Sequence, residues 1–198
     1  MAWARNGTPD TLSGTSDTIT ISDLNARKFN QFLCHHLQTG GYPQTHLRLG
    51  YGSVDSGSNY SARYSYNGGT DATATSSTDI RLLNAVDTNE GFNVGYYINI
   101  ASEEKLLMSF GIHANTSGAG TAPAREEDVG KWVNTSNQSD NIQIVNLNTG
   151  DYTTGSNLTA LTGDETETVT LQDGTIFEES DTNKAYIWNS STETWTQL

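Results

Sequence analysis

Apolar residues recur at every second position over long stretches of this chain, and such period-two alternation marks strands with one buried face. The clearest run sets Phe92, Val94, Tyr96, Ile98 and Ile100 against Asn93, Gly95, Tyr97 and Asn99. It predicts a strand that turns its apolar face to the core. A second run sets Leu106, Met108, Phe110 and Ile112 against Leu107, Ser109, Gly111 and His113, and the short Ala101-Ser102-Glu103-Glu104-Lys105 connection makes the two an antiparallel hairpin. The same alternation appears in Tyr60, Ala62, Tyr64 and Tyr66, and in Leu47, Leu49 and Tyr51. Shorter predicted strands are Thr18 to Leu24, Phe29 to Leu37, Ile80 to Leu83, Val129 to Val133 and Asn141 to Leu147.

Turn residues separate these runs: Thr39-Gly40-Gly41, Asp55-Ser56-Gly57-Ser58, Asn67-Gly68-Gly69, Asn89-Glu90-Gly91, Ser117-Gly118-Ala119-Gly120 and Asn148-Thr149-Gly150. No segment carries a sustained helical stripe; Ala124 to Val129 has room for one turn after Pro123 and no more. About eight strands at intervals of roughly 8–15 residues predict an all-β fold, a jelly-roll-like antiparallel β-sandwich over residues 1–161.

From Leu158 to Val169 the chain turns acidic and Thr-rich, and residues 162–172 are expected to be a linker held open by its own charge. Beyond it Thr175 to Glu178, Ala185 to Trp188 and Thr194 to Thr196 predict a three-stranded β-meander within residues 173–198. A sheet of that size does not bury enough area to stand alone. Phe177, Tyr186, Trp188 and Trp195 are therefore the candidate interface, facing the sandwich, a second copy or another protein.

Charge narrows the partners. The 198 residues hold 10 Lys and Arg against 23 Asp and Glu, a net charge of −13, and no stretch gathers the basic residues. Nucleic acid, which needs a cationic face, is excluded on that ground. The single cysteine, Cys34, allows no internal disulfide and sits in an apolar run as a buried, inert thiol. No window approaches the roughly 18 apolar residues of a membrane span, and the N-terminus has no signal-peptide pattern, so membrane insertion and export by that route are not expected.

Candidate chemistry is sparse. His35 and His36 are adjacent and point to opposite faces of a strand, and His46 and His113 have no partners at metal-ligand spacing. Two oxygen-rich loops, Asp55-Ser56-Gly57-Ser58-Asn59 and Asp87-Thr88-Asn89-Glu90, offer ligands to Ca²⁺, although Asp, Asn, Ser and Gly are also ordinary turn residues. No other cofactor is indicated. Glu103-Glu104 and Glu126-Glu127-Asp128 read as solvated acidic surface and not as the facing carboxylates of a glycosidase. No nucleophile-elbow or phosphate-loop spacing occurs, so no catalytic residue is assigned. The face of Tyr60, Ala62, Tyr64 and Tyr66 is either a core strand or, through Tyr64 and Tyr66, a sugar-stacking platform with Asn67, Asp71 and Arg63 as hydrogen-bonding partners. Asn-x-Ser/Thr sequons at Asn6, Asn59, Asn115, Asn134, Asn137, Asn157 and Asn189 are expected by chance in so Asn- and Ser/Thr-rich a chain.

Four segments together resemble uncharacterised β-sandwich proteins of environmental (marine, archaeal or phage) virus sequences. They are Met1-Ala2-Trp3-Ala4-Arg5-Asn6-Gly7-Thr8-Pro9-Asp10-Thr11-Leu12, Gly57-Ser58-Asn59-Tyr60-Ser61-Ala62-Arg63-Tyr64-Ser65-Tyr66-Asn67-Gly68-Gly69, Asn99-Ile100-Ala101-Ser102-Glu103-Glu104-Lys105-Leu106 and Val129-Gly130-Lys131-Trp132. Separately, Gly174-Thr175-Ile176-Phe177, Asp181-Thr182-Asn183-Lys184, Tyr186-Ile187-Trp188-Asn189 and Trp195 resemble a short C-terminal module of phage tail, fibre and capsid-decoration proteins. The resemblance implies a non-enzymatic virion structural protein, a capsid decoration or tail-fibre component. It would be made in the host cytoplasm and displayed at the virion surface as a homo-oligomer, with a trimer favoured, against other virion proteins. The alternative it leaves open is a fibre-tip adhesin that binds host-surface glycans.

Overall fold

Alternation, β-branched residues and closely spaced turns give strands throughout, and the computed structural model describes residues 3–84, 90–116, 118–163, 172–179, 184–192 and 194–198. Within them the strands, in chain order, are β1 (Ala4–Arg5), β2 (Asp10–Thr11), β3 (Thr18–Ile21), β4 (Phe29–His36), β5 (Gln38–Thr39), β6 (Thr45–Tyr51), β7 (Ser53–Val54), β8 (Tyr60–Tyr66), β9 (Ala72–Ser77) and β10 (Ile80–Leu83). They continue as β11 (Gly91–Ile98), β12 (Lys105–His113), β13 (Ala124–Trp132), β14 (Asn141–Asn146), β15 (Asp151–Tyr152), β16 (Asn157–Gly163), β17 (Ile176–Glu179), β18 (Lys184–Asn189) and β19 (Thr194–Gln197). No helix occurs among the described residues. The chain divides into two compact units, Met1–Glu165 and Thr166–Leu198.

The first unit is an antiparallel sandwich. Its large sheet runs β1-β16-β4-β11-β12-β13-β8-β9, with β2 also on β16, and its small sheet runs β10-β6-β14-β3, with β7 on β6. The chain passes repeatedly from one layer to the other, as in a jelly-roll-like sandwich. The expected hairpin forms in register, Val94 opposite Phe110 and Tyr96 opposite Met108. Between the layers lies a core of Ile19, Ile21, Phe32, Leu47, Leu49, Tyr60, Ile80, Leu82, Leu107, Trp132, Ile142, Ile144 and Leu158. Tyr60 ties the layers together, since its hydroxyl accepts from Leu49 N–H on β6 at 3.0 Å.

The large sheet reverses the expected facing. On β11 the inward residues are Gly91, Asn93, Gly95 and Tyr97, and Phe92, Val94, Tyr96 and Ile98 face outward. On β12, Lys105, Leu107, Ser109, Gly111 and His113 are buried and Leu106, Met108, Phe110 and Ile112 are exposed. The reason is space. Bulky side chains from other strands already occupy the interlayer volume beneath these strands, and glycines make room for them. A Cβ on Gly130 would lie 2.8 Å from the Ile80 side chain, one on Gly111 2.7 Å from the Leu82 carbonyl oxygen, and one on Gly95 inside contact distance of the Phe32 ring. Burying the more hydrophobic face of β11 and β12 would drive Phe110 or Tyr96 into that volume.

Three further expectations are corrected. Ala124 to Val129 is not a helical turn but the first half of β13, paired with β12 and β8. The segment from Leu158 is not linker at its start, because β16 continues to Gly163 between β1 and β4, and Thr162 donates its hydroxyl to Phe29 O at 2.8 Å. Residues 164–171 of the expected linker lie outside the described residues. Strand β9, Ala72–Ser77, was not expected at all, because its Ala, Thr and Ser carry no apolar alternation.

Since Gly95 lies against Phe32, Gly95→Ala should lower the unfolding free energy by about 1–3 kcal/mol, the usual cost of overpacking. A urea midpoint equal to that of the unmodified protein would show that the packing of β11 against Phe32 has slack there.

Candidate interaction surfaces

The outer face of the large sheet is built from the outward half of each alternating strand. Register sets its side chains in rows across the sheet: Leu33, Val94, Phe110 and Glu127 in one, Gln31, Tyr96, Met108, Val129 and Arg63 in the next. Cross-strand neighbours of this kind pack directly on one another. Phe92 and Ile112 extend the apolar area toward one end of the strands, and Phe29, Ile98 and Leu106 toward the other. Trp3 lies edge-on to Tyr96, with ring centroids 6.1 Å apart. The surface is concave here, a cleft of about 930 Å³ lined by Trp3, Phe29, Tyr96, Ile98, Leu106, Met108 and Val129, with Arg63 and Lys131 at its border. Exposure reaches 58% at Leu106 and 60% at Met108.

Toward β13, β8 and β9 the same face becomes charged, and its charges are paired. Arg63 meets Asp71 at 3.3 Å, Arg125 meets Glu127 at 3.4 Å and Lys131 meets Glu104 at 2.7 Å.

Beneath this face the interior is polar at one end, which overturns the reading of Glu126-Glu127-Asp128 as solvated surface. Only Glu127 faces water; the strand pleat turns Glu126 and Asp128 inward, where both are buried. Glu126 is held by the Arg81 guanidinium, Nε donating at 2.7 Å, and by Asn84 N–H at 2.6 Å. Arg81 also lies over the Tyr64 ring, 3.8 Å from its centroid. Asp128 has one hydrogen bond, from the Ser109 hydroxyl at 3.2 Å, and its other oxygen has no protein partner. Burial first, and then the Glu126 charge, push its carboxyl up to about 9, so Asp128 is neutral at pH 7. His36 is the reverse case: burial drives it down to about 3, and it remains neutral between Thr45 and Gln38.

The residues proposed for sugar binding do not converge on one platform. Tyr64 and Tyr66 are half-buried on the inward side of β8, Tyr64 under Arg81 and Tyr66 stacked on His113 with centroids 6.4 Å apart. Asp71 instead pairs with Arg63, which alternates to the opposite side of the sheet. Asn67, at φ 51°, uses its side-chain oxygen to accept from Arg125 N–H, which ties the turn to β13.

The Asp55 loop has committed its oxygens to protein donors. The Asp55 carboxylate accepts from Gly57 N–H at 2.8 Å, Asn59 Nδ2 at 2.9 Å and the indole of buried Trp132 at 2.7 Å. Burial opposes its charge, but these donors outweigh it and hold the carboxyl below the usual range. Of the second oxygen-rich loop, residues 87–89 lie outside the described residues. No group of three potential metal ligands occurs among the described residues. His46 is engaged by Asp79 at 2.6 Å, His35 is exposed near Glu90, and Cys34 is buried, with burial pushing its thiol up to about 12. The Asn6 sequon is buried and bonded to Asn25 and Asn30, so it is closed to glycosylation in the folded chain.

In the C-terminal unit register places all four candidate interface residues on one face. Phe177 lies opposite Tyr186 and Trp188 opposite Trp195, and the Trp pair has centroids 5.3 Å apart. Phe177 also meets Trp195 edge-on at 6.1 Å. The rings contact each other but remain open to solvent, Phe177 at 52% and Trp195 at 40%. The turn residues 181–183 lie outside the described residues.

Comparison with known protein families, curated proteins and solved structures returned no match.

Sequence reasoning missed both the outward apolar face and the buried carboxylates. The signal available for the first was the glycines at alternate positions of β11 and β12, counted as polar when they in fact mark close approach of neighbouring side chains or backbone.

Two measurements check these assignments. Between pH 6.5 and about 9 unfolded Asp128 has released the proton that the folded form keeps, so stability should fall as pH rises, by up to about 1.4 kcal/mol per pH unit. Between pH 3.8 and 6.5 unfolded His36 binds a proton that folded His36 refuses, which cancels the Asp128 effect; below that range His36, with Asp55 and Asp79, makes stability fall with pH. Thermal melts should therefore show a plateau from about pH 4 to 6.5, and Asp128→Asn should flatten the alkaline side and turn the plateau into a rise with pH, because His36 then acts there alone. Melts with and without millimolar Ca²⁺ should coincide; a rise in Tm abolished by Asp55→Asn would give that loop a metal after all.

Proposed function

We propose that this chain is a non-enzymatic structural protein of a virus particle, displayed at the particle surface in multiple copies, with the C-terminal unit as its attachment module. The observation that carries the reading is the aromatic face of that unit. Phe177, Tyr186, Trp188 and Trp195 form one continuous layer on a three-stranded sheet, and the described part of the unit has no second layer to cover it. Isolated small sheets are marginal in water, and half-exposed aromatic clusters are typical anchors of protein interfaces. An attachment segment that gains its second layer on docking has this form.

The resemblance of the unit to modules of tail, fibre and decoration proteins agrees with that use, and so does the sandwich. Several of its buried titratable groups are engaged by protein partners, Glu126 by Arg81 and His46 by Asp79. Its acidic surface keeps a protein present at high copy number soluble. Made in a host cytoplasm, such a protein would reach its place by assembly, with other virion proteins as the partners of the aromatic face.

Antibodies raised against the recombinant chain should label the outside of particles in virus fractions that carry its gene, in electron micrographs of immunogold-stained samples. Replacing Trp188 and Trp195 by Ser should abolish binding of the recombinant chain to particles stripped of it. Label confined to cells, with bare particles, would remove the viral assignment.

A further inference from the structure

We infer that the outer face of the large sheet is the surface through which copies of this chain associate, and that a second copy of the chain covers it. The inference deepens the reading of a multi-copy protein and moves the contact between copies from the aromatic C-terminal unit to the sandwich.

Area is the first argument. Outward side chains from Phe92, at 37% exposure, to Met108, at 60%, form one contiguous patch across β4, β11, β12 and β13. With side chains of roughly 150–250 Å² leaving about half of that to water, the patch amounts to on the order of 800 Å². Monomers rarely carry more than a few hundred Å² of contiguous apolar surface, and one partner of a standard interface buries about 800 Å². The face therefore supplies what a stable association of two copies needs. Fixed cross-strand rows also make it rigid, so little ordering entropy opposes docking.

Charge selects the occupant. Two copies of a chain with net charge −13 repel across most of their surfaces. This face is the exception: its centre is uncharged, and its flank carries three basic residues, Arg63, Arg125 and Lys131, each already paired with an acid, Asp71, Glu127 and Glu104. A flank with equal numbers of both signs is complementary to itself, since the basic members of one copy can meet the acidic members of the other. A polyanion finds no net positive charge there, and a strongly basic partner no net negative charge.

The test uses the full chain. Sedimentation equilibrium at micromolar concentration should return a dimer, the assembly that a self-complementary face closes, and a trimer would overturn the inference. Leu106→Glu with Met108→Glu should weaken association by roughly a hundredfold or more and leave the strand circular-dichroism spectrum intact, both positions being exposed in the single chain. Trp188→Ser with Trp195→Ser should leave the mass unchanged. Independently of any variant, Met108, the sole methionine besides Met1, should be oxidised slowly by peroxide in the associated protein and faster on dilution. A monomeric full chain would overturn the inference, as would an oligomer that survives both glutamates, one lost only with the tryptophans, or flotation on phosphatidylcholine vesicles that the glutamates abolish in a monomer. Each of those leaves the particle assignment standing, because that is read from labelling.

Discussion

The arrangement of the sandwich depends on how closely its two layers approach, and that approach is set by glycines. Gly111 lies over the Leu82 carbonyl and Gly130 over Ile80 of the opposite layer, and Gly95 makes room for the Phe32 ring of the neighbouring β4 in its own sheet, all on the inward side. Interiors are packed to crystal density, so each interlayer volume is filled from one side only. Here β4 and β10 fill part of it, where the inward positions are Gly91, Asn93, Gly95, Ser109, Gly111 and Gly130, while Tyr97, Leu107 and Trp132 bring bulk of their own. The large apolar residues of β11 and β12 then have one side left, the outer one. The outward apolar face is thus the other half of the same packing solution that closes the core.

That solution also explains the polar end of the interior. Where small inward residues leave space beneath β10, Arg81, Glu126, Asp128 and Asn93 occupy it. Burying an ion pair is costly unless its geometry is tight, and Glu126 meets that condition through Arg81 and Asn84. Asp128 does not: it has a single hydroxyl donor and a charged neighbour, and it avoids the cost by keeping its proton. That choice favours the fold as pH falls, whereas His36, kept neutral by burial, opposes it between pH 6.5 and about 3.

The two units divide the work of association in the proposed function. The sandwich presents a rigid face with balanced flanking charge, suited to repetition of one chain, and the C-terminal unit presents four aromatic rings on a thin sheet, suited to a different surface. Both faces are apolar layers that lack a covering layer among the described residues of their own unit.

Much of the fold was legible in the chain. Alternation located β4, β6, β8, β10, β11, β12 and β14 to within a few residues, turn residues separated them, and the hairpin of β11 and β12 and the meander of β17, β18 and β19 followed from spacing. Strand β9 was not legible because Ala, Thr and Ser do not alternate in hydrophobicity, and β16 was taken for linker because its Thr residues run on into an acidic stretch. Of the candidate surfaces, the aromatic face of the meander was readable from Phe177, Tyr186, Trp188 and Trp195; the apolar face of the sandwich was assigned to the wrong side. Period-two patterning states which residues share a face, and the sequence by itself determined that much. Which face turns inward is decided by what the opposite layer and the neighbouring strand bring to the same volume. Phe32, Ile80 and Leu82 reach Gly95, Gly130 and Gly111 only through tertiary contact, and that contact placed Glu126 and Asp128 inside and Phe110 and Met108 outside.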